Sequence, residues 1–281
     1  MDCKKFFNLI LAGQTLFALP FALLGVVFAG GADLKTWALT IVALAAARAA
    51  GMSFNMVIDA KIDAKNPRTK DRLIPKGEVA PWEAWMVAAL SGLVLVLASF
   101  FLNPLCFYLS FAAIFLLFIY SFFKRFSASS HFFLGFVEAA APMGGYLAAQ
   151  GQFSMIPFAL SAIILTWIAG LDIIYSLQDM EFDIKERLHS IPAALGKKKS
   201  LFISAACYMA SLFVIVWLGF HTEKQTPYWI GASVVGAIFC YQQALAWKEE
   251  PPLHIKKIFK ANMFISPALF FGAALDMLLM G

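Results

Sequence analysis

The sequence predicts an all-α polytopic membrane protein: a bundle of nine transmembrane helices forming a single domain over residues 1–281. Three observations carry that prediction. Hydrophobic residues make up 61% of the chain and charged residues 14%, against about 45–50% and about 25% in soluble domains. The apolar residues fall into runs of about 20, the length that crosses a bilayer as a helix. The connectors between runs alternate between long basic loops and very short neutral turns. A soluble prior of about 150 residues per domain would give two domains, but composition overrides it. Mean hydropathy is +0.77, with 29 Phe and 11 Met. No soluble globule buries that much apolar surface, so disorder, a disulfide-stapled secreted domain and an ordinary cytosolic enzyme are excluded.

The expected spans run over 8–30, 37–59, 82–102, 105–123, 131–150, 155–178, 200–220, 227–247 and 258–281. The first follows Lys4-Lys5 and precedes Ala29-Gly30-Gly31-Ala32, so it resembles a signal peptide. Its apolar stretch exceeds the roughly 7–15 residues of a signal-peptide core, and a retained helix is expected. The second carries Arg48, Asn55 and Asp59. Asn103-Pro104 is the short turn between the third and fourth, and Glu138 lies within the fifth. The sixth holds Asp172 and Tyr175, and the seventh follows Lys197, Lys198 and Lys199. The eighth and ninth are joined by a connector with Lys248, Lys256 and Lys257. Cys3, Cys106, Cys207 and Cys240 form no Cys-x-x-Cys pair, so they read as apolar fillers and a free thiol rather than disulfides or metal ligands.

Lysine and arginine collect on one side of this topology. Lys4 and Lys5, the loop from Lys61 to Lys76, Lys124 and Arg125, the segment from Lys185 to Lys199, and the connector from Lys248 to Lys260 share that side. Lys35 and Lys224 lie on the other, and Arg48 lies within a span. The positive-inside rule then places the N-terminus and these loops in the cytoplasm and the C-terminus on the opposite side. The net charge of +5 is thus a sidedness signal. No nucleic-acid partner and no obligate protein partner are expected.

Two acidic constellations stand at the cytoplasmic ends. Asn55, Asp59 and Asp63 are spaced i, i+4, i+8, and on a continuous helix they drift only about 80°. Asp172, Asp179 and Asp183 align within about 20°, with Tyr175 between them, while Glu181 points elsewhere and is expected to be solvated. Loops flanking helices are normally charged, which is the bland reading. Asp59 and Asp172, however, fall in or beside apolar runs, where an ionisable group is expensive and usually functional. Hard oxygen ligands in two sets suit Mg²⁺, which fills its octahedron from one or two carboxylates, water and phosphate. Arg68, Lys70 and Arg72 follow the first set, in a loop opened by Asn66-Pro67, and suit phosphate oxygens. Lys61, Lys65 and Lys197 to Lys199 read as the sidedness signal alone. Arg48 extends the polar face of its helix two turns deeper; its counterpart is either a substrate carboxylate or Glu138. Tyr120 and Lys124, at i and i+4, are either interfacial anchors or an aromatic and a cation over one cavity.

The runs Asn55-Met-Val-Ile-Asp59-Ala-Lys-Ile-Asp63 and Asp172-Ile-Ile-Tyr175-Ser-Leu-Gln-Asp179-Met-Glu-Phe-Asp183 resemble the paired Asp-rich motifs of the UbiA superfamily of intramembrane aromatic prenyltransferases. Asn66-Pro-Arg-Thr-Lys-Asp-Arg72, Tyr120-Ser-Phe-Phe-Lys124-Arg125, Leu188-His-Ser-Ile-Pro-Ala-Ala-Leu-Gly196 and Leu16-Phe-Ala-Leu-Pro-Phe-Ala22 are similar too. Arg72-Leu-Ile-Pro75 stands where many members have Arg-Pro-Leu-Pro, and Glu138 stands where small or apolar residues are usual. The resemblance implies a nine-helix bundle around a central cavity open to lipid, with a cytoplasmic cap. It implies Mg²⁺-assisted transfer of a prenyl group from polyprenyl diphosphate to an aromatic acid acceptor. By the same resemblance Asn55, Asp59, Asp63, Asp179 and Asp183, supported by Asp172, organise the metal and diphosphate. Arg68, Arg72 and Lys124 bind phosphate, Tyr120 and Tyr175 face the reacting carbon, and Arg48 with Asn55 lies near the acceptor. Asp59, Asp63, Asp179, Asp183, Tyr120 and Tyr175 are the catalytic candidates. The Leu188-His-Ser-Ile-Pro run is most like the 4-hydroxybenzoate polyprenyltransferase branch, which implies ubiquinone or menaquinone synthesis; futalosine-route, haem and lipid acceptors are the alternatives. A rival class is a transporter with intramembrane carboxylates, although such sites tend to lie near the midplane on broken helices.

Overall fold

In a computed structural model, described for residues 2–10, 12–248 and 251–280, the regular elements among the described residues are all helical. Helices α1 (Cys3–Leu9), α2 (Ala12–Phe28), α3 (Leu34–Ile58), α4 (Ala60–Asp63), α5 (Pro81–Leu102) and α6 (Pro104–Ile119) come first. A 3₁₀ turn, Tyr120–Arg125, leads to α7 (Ser130–Glu138), α8 (Ala140–Gln150) and α9 (Met155–Ser176). A second 3₁₀ turn, Leu177–Asp179, leads to α10 (Met180–Lys185), α11 (Ile191–His221), α12 (Thr226–Ala246), α13 (Pro251–Asn262) and α14 (Ile265–Met280).

Among the described residues, eight helical segments are long and apolar enough to cross a membrane, and Ala18–Phe28 is a shorter apolar helix. The eight correspond to the second through ninth expected spans. The first differs: residues 8–30 do not form one rod but divide between α1 and α2. With 17 residues, α2 reaches only about 26 Å at 1.5 Å per residue. The side chains of Cys3 and of residues 11–17 lie outside the described set, as does Gly281 at the end of the ninth expected span.

The chain divides into two compact units, Met1–Leu19 with Asp33–Phe122, and Pro20–Ala32 with Phe123–Gly281. In the first unit α3 packs along α5, and α6 packs on both. Asp33 starts α3 by accepting the Thr36 N–H at 2.8 Å, and Asn103 starts α6 by accepting the Cys106 N–H at 2.9 Å. These caps satisfy amides that no helical carbonyl can reach, and Pro104 at the first helical position sacrifices none. Leu9 and Ile10 join Ala49, Met56, Ile74, Val79, Ala84 and Val87 in one apolar cluster. The Lys5 ammonium donates to the Glu78 carbonyl at 3.0 Å. The end of α1 is therefore docked on α3, α5 and the loop between them.

In the second unit α9 packs against α7, α8 and α11, while α12 joins α11 to α13 and α14. Trp167 on α9 is 1% exposed and donates its indole N–H to Asn262 at 3.1 Å. A methyl group at Gly145 would overlap the Ala22 carbonyl, and one at Gly135 would overlap the Leu165 carbonyl. Without a side chain at these points the helix backbones approach closely, a common route to helix association in lipid. Phe213, Phe220, Leu278 and Leu279 here, like Phe100, Phe101 and Tyr108 in the first unit, are more than half exposed. Such side chains suit a hydrocarbon solvent.

Several expected rods are interrupted. The fifth span splits at Ala139 into α7 and α8. Pro142 explains this: it cannot donate to the Glu138 carbonyl, and its ring crowds that oxygen. Gly196, at φ 74° and ψ 169°, kinks α11 near its start. The motif-bearing helices also stop early, α3 at Ile58 and α9 at Ser176. The Ser176 hydroxyl donates to the Ile173 carbonyl at 3.0 Å, a side-chain bond that competes with the helical ladder. The alignment of Asp172, Asp179 and Asp183 drawn from one continuous helix is accordingly broken by a 3₁₀ turn.

Candidate functional site

In the first unit the motif sits where α3 gives way to α4. The Asn55 amide donates to Asp59 Oδ2 at 2.8 Å and lies 3.5 Å from the Ser121 hydroxyl. Asp59 closes α3 with φ −89° and ψ 1°, and its carbonyl accepts the Asp63 N–H at 2.8 Å. Asp63 ends α4 and is 6% exposed. Its Oδ2 accepts a charge-assisted bond from Arg72 Nη1 at 2.7 Å. The loop between them is built as Asn66-Pro67 predicts. Asn66 Oδ1 accepts the Arg68 N–H at 2.9 Å, an Asx turn, and Thr69 donates to the Asp63 carbonyl at 3.2 Å.

The other first-unit candidates are more dispersed. Arg68 is exposed and Arg48 is half-buried on α3. The Tyr120 hydroxyl donates to the Gly51 carbonyl of α3 at 3.3 Å, which holds the ring beside that helix.

In the second unit the motif spans the end of α9, the 3₁₀ turn and α10. Asp179 is 4% exposed and Asp183 is 0% exposed. Lys124 Nζ lies 2.8 Å from Asp183 Oδ1. Among the described residues neither Asp183 oxygen accepts a well-angled hydrogen bond, so the contact is chiefly electrostatic. The Lys124 carbonyl accepts the His189 N–H, and the Asp183 carbonyl accepts the Leu188 N–H, both at 2.8 Å. The 188–196 run thereby ties the Lys124 turn to α10. Tyr175 has its ring 5.8 Å from that of Phe259, and Glu181 is exposed.

Sequence reasoning passed over two residues here. His131 appeared merely as the start of a span. In the structure its Nδ1 lies 2.6 Å from Asp172 Oδ2, with the imidazole 2% exposed. A lone histidine opening an apolar helix was the available signal. Asp276, deep in the last helix, is 0% exposed; it accepts the Gln225 N–H at 2.6 Å and pairs with Lys224 at 3.3 Å. That pair joins the α11–α12 turn to α14 and lies apart from the motif.

The donor set tests whether magnesium fits. All the motif donors are hard oxygens, and the fully buried Asp183 carboxylate has lone pairs without hydrogen-bond donors. Among the described residues no group of three or more His, Cys, Asp or Glu is placed to hold an ion alone. The hard-oxygen donors fit Mg²⁺, for which one or two carboxylates suffice when water and phosphate complete the shell.

Comparison with known proteins agrees with these features. Residues 18–267 match the UbiA prenyltransferase family. A 4-hydroxybenzoate octaprenyltransferase from Marinobacter nauticus is 32% identical over 233 residues, 82% of this chain and 78% of the relative. The apo structure of a UbiA homolog from Aeropyrum pernix K1 superposes with a TM-score of 0.87 at 29% identity, covering 94% of this chain and 98% of that one. A UbiA homolog from Archaeoglobus fulgidus bound to GPP and Mg²⁺ shares the fold, with a TM-score of 0.75 at 17% identity over 96% of this chain and 99% of that one. The transporter reading falls away with this match. A multi-pass helical membrane protein with paired aspartate motifs and this family match over most of its length is a prenyltransferase, and the chain belongs to the UbiA prenyltransferase family.

Proposed function

We propose that this prenyltransferase transfers a polyprenyl group from polyprenyl diphosphate to an aromatic acid of the 4-hydroxybenzoate type, as a single transmembrane catalytic domain. The observation that carries the reading is the same in both motifs: a nearly or fully buried aspartate paired with a cation, Asp63 with Arg72 and Asp183 with Lys124. Each pair holds a cation against a carboxylate that is shielded from water, and a diphosphate can also use that cation. The acceptor class rests on Arg48 and on the relative from Marinobacter nauticus.

Asn55, Asp59, Asp63, Asp179 and Asp183, with Asp172 in support, would hold Mg²⁺, which when bound neutralises charge on the diphosphate and so eases loss of the leaving group. Arg68, Arg72 and Lys124 orient the phosphate oxygens. The allylic C–O bond breaks and its electron pair leaves with the diphosphate. The Tyr120 and Tyr175 ring faces stabilise the allylic cation, a contact worth about 2 kcal/mol when desolvated. An apolar cavity open to lipid accepts the isoprenoid tail and keeps water from the cation. Arg48 holds the acceptor carboxylate while the ring attacks, and the ring proton passes to the released diphosphate, which restores aromaticity.

The test supplies purified protein with labelled polyprenyl diphosphate, Mg²⁺ and a panel of aromatic acids together with haem and glycerol-phosphate acceptors, followed by product identification. A prenylated 4-hydroxybenzoate-type acid is expected. A product formed only with a haem or glycerol-phosphate acceptor overturns the acceptor assignment. The sidedness of the basic loops favours both motifs at the cytoplasmic face. Labelling of Lys70→Cys and Lys198→Cys from one side and Lys224→Cys from the other is expected; labelling of Lys70→Cys and Lys224→Cys from the same side overturns that orientation.

A further inference from the structure

His131, in the first turn of α7, is 2% exposed and touches two other helices of its unit through its two ring nitrogens. Nδ1 lies 2.6 Å from Asp172 Oδ2 on α9. Nε2 lies 3.2 Å from the backbone nitrogen of Ile191, the first residue of α11. A backbone amide can only donate, so Nε2 is the acceptor and the proton of the neutral ring sits on Nδ1, aimed at the carboxylate. The Ile191 N–H belongs to the first turn of its helix, where no helical carbonyl is available to it. The neighbouring Ser190 hydroxyl accepts the Ala193 N–H at 3.3 Å. The imidazole is thus fixed on one edge by a backbone that cannot rotate away, and it presents a single donor to Asp172 on the other.

We propose that His131 is a positioning residue for prenyl transfer: its Nδ1–H engages Asp172 Oδ2, fixes the carboxylate's orientation and leaves Oδ1 to serve the diphosphate and its cation. The proposal rests on the reading in which Asp172 supports that site. Asp172 is 29% exposed while its partner is buried, so the carboxylate faces outward from a rigid base. An unanchored aspartate would sample several rotamers and spend less time in the competent one. Partners of this kind, one bond behind a ligand, commonly change affinity by about 10-fold to 100-fold when removed.

Two amide substitutions separate positioning from structural stapling. In His131→Asn the amide nitrogen stands near the position of Nδ1 and keeps the donor to Asp172 while losing the acceptor for Ile191. In His131→Gln the longer side chain brings an amide oxygen near the position of Nε2, keeping the acceptor and losing the donor. The full-length protein in detergent is titrated by calorimetry with inorganic diphosphate in the presence of Mg²⁺, and thermal unfolding is followed in parallel. Diphosphate binding weaker by roughly tenfold in His131→Gln and within about threefold in His131→Asn is expected, and this ranking need not follow the unfolding midpoints. Losses of binding that track the unfolding midpoint equally in both variants make the histidine a staple and overturn the proposal, as does unchanged binding in His131→Gln. Two controls locate a failure. If Asp179→Asn binds diphosphate as the parent does, the motif is not a diphosphate site and the proposal falls with that reading. If Asp179→Asn loses binding while Asp172→Asn keeps it, the site stands and the role given to Asp172 and His131 is refuted.

Discussion

In the first unit Asp63 meets Arg72 nine residues further along the chain, and Asn55 meets Asp59 one helical turn away. In the second unit Asp183 meets Lys124 from the turn before α7, and Asp172 meets His131 across 41 residues. The two motifs use the same residue types but are assembled differently. The first is held by its own neighbourhood, where closing a short loop costs little entropy. The second is held by partners that arrive only when α7, α9 and α11 have packed. Each motif mixes depths: Asp63 is buried beside a half-buried Asp59, and Asp179 and Asp183 are buried beside a half-buried Asp172. A locally held motif can tolerate small movements of the surrounding helices; a motif held by distant partners takes its geometry from them.

The largest effect should come from the carboxylates themselves, and it tests whether the two motifs share one job. Asp59→Ala and Asp179→Ala should each nearly abolish turnover, by about 10³-fold or more, while the protein still inserts and folds. Wild-type rates in either variant at limiting Mg²⁺ would mean that the motifs are not equivalent partners in one reaction.

Next come the paired cations, where the comparison predicts an asymmetry. Lys124→Met leaves the fully buried Asp183 without its counter-charge, and a loss of about 2–4 kcal/mol is expected, below the upper end for buried pairs because Lys124 is itself 36% exposed. Arg72→Met strands a slightly more exposed Asp63 next to solvent that can rehydrate it, so about 1 kcal/mol less should be lost. Thermal unfolding in detergent reads both. Equal losses would show that the small difference in burial between Asp183 and Asp63 has no energetic consequence.

Arg48 asks whether α3 serves a second substrate, as α9 is not expected to. Arg48→Met should raise the KM for the aromatic acid by roughly tenfold to a hundredfold, the loss of one charge-assisted bond of about 1.5–3 kcal/mol. Diphosphate affinity should hardly change, because Arg48 lies two turns along α3 from Asn55. Lysine should replace it poorly, since a point charge cannot reproduce the guanidinium fork. Loss of diphosphate binding with an unchanged KM for the acid would assign Arg48 to the other substrate.

The smallest effect is a control at the far end of the same helix. Hydrogen bonds from the Thr36 hydroxyl and backbone N–H hold the Asp33 carboxyl below its ordinary value of 3.8. A depressed value means that the cap's contribution is present above the unfolded-state pKa, about 3.9, and is lost as pH falls through the lower folded-state value. Asp33→Ala should flatten a slight acid-side dependence of unfolding and leave both substrate KM values unchanged. A changed KM would mean that the motif feels the whole length of α3, and the picture of a locally held first motif would fail.

Chain composition and spacing determined a good deal unaided. The apolar runs fixed a multi-pass helical membrane protein because only helices and closed barrels satisfy the backbone in lipid, and continuous runs of about 20 residues suit helices, whereas barrel strands need only about 9–11. The i, i+4 spacing and the Asn66-Pro67 turn carried enough local geometry to set Asn55 beside Asp59 and Arg72 within reach of Asp63, since one helical turn and one tight loop do not depend on distant packing. Tertiary structure decided the remainder. Lys124 was legible as a cation near phosphate but not as the partner of Asp183; His131 was not legible as the partner of Asp172; and the Lys224–Asp276 pair was invisible. Each of these contacts joins residues far apart in the chain, and a one-dimensional pattern of charges does not say which acid a base will meet. The breaks after Ile58 and Ser176 were missed for a related reason. Hydropathy measures how long a segment can stay in lipid and carries no signal for where, within that length, the backbone changes from α-helix to a 3₁₀ turn.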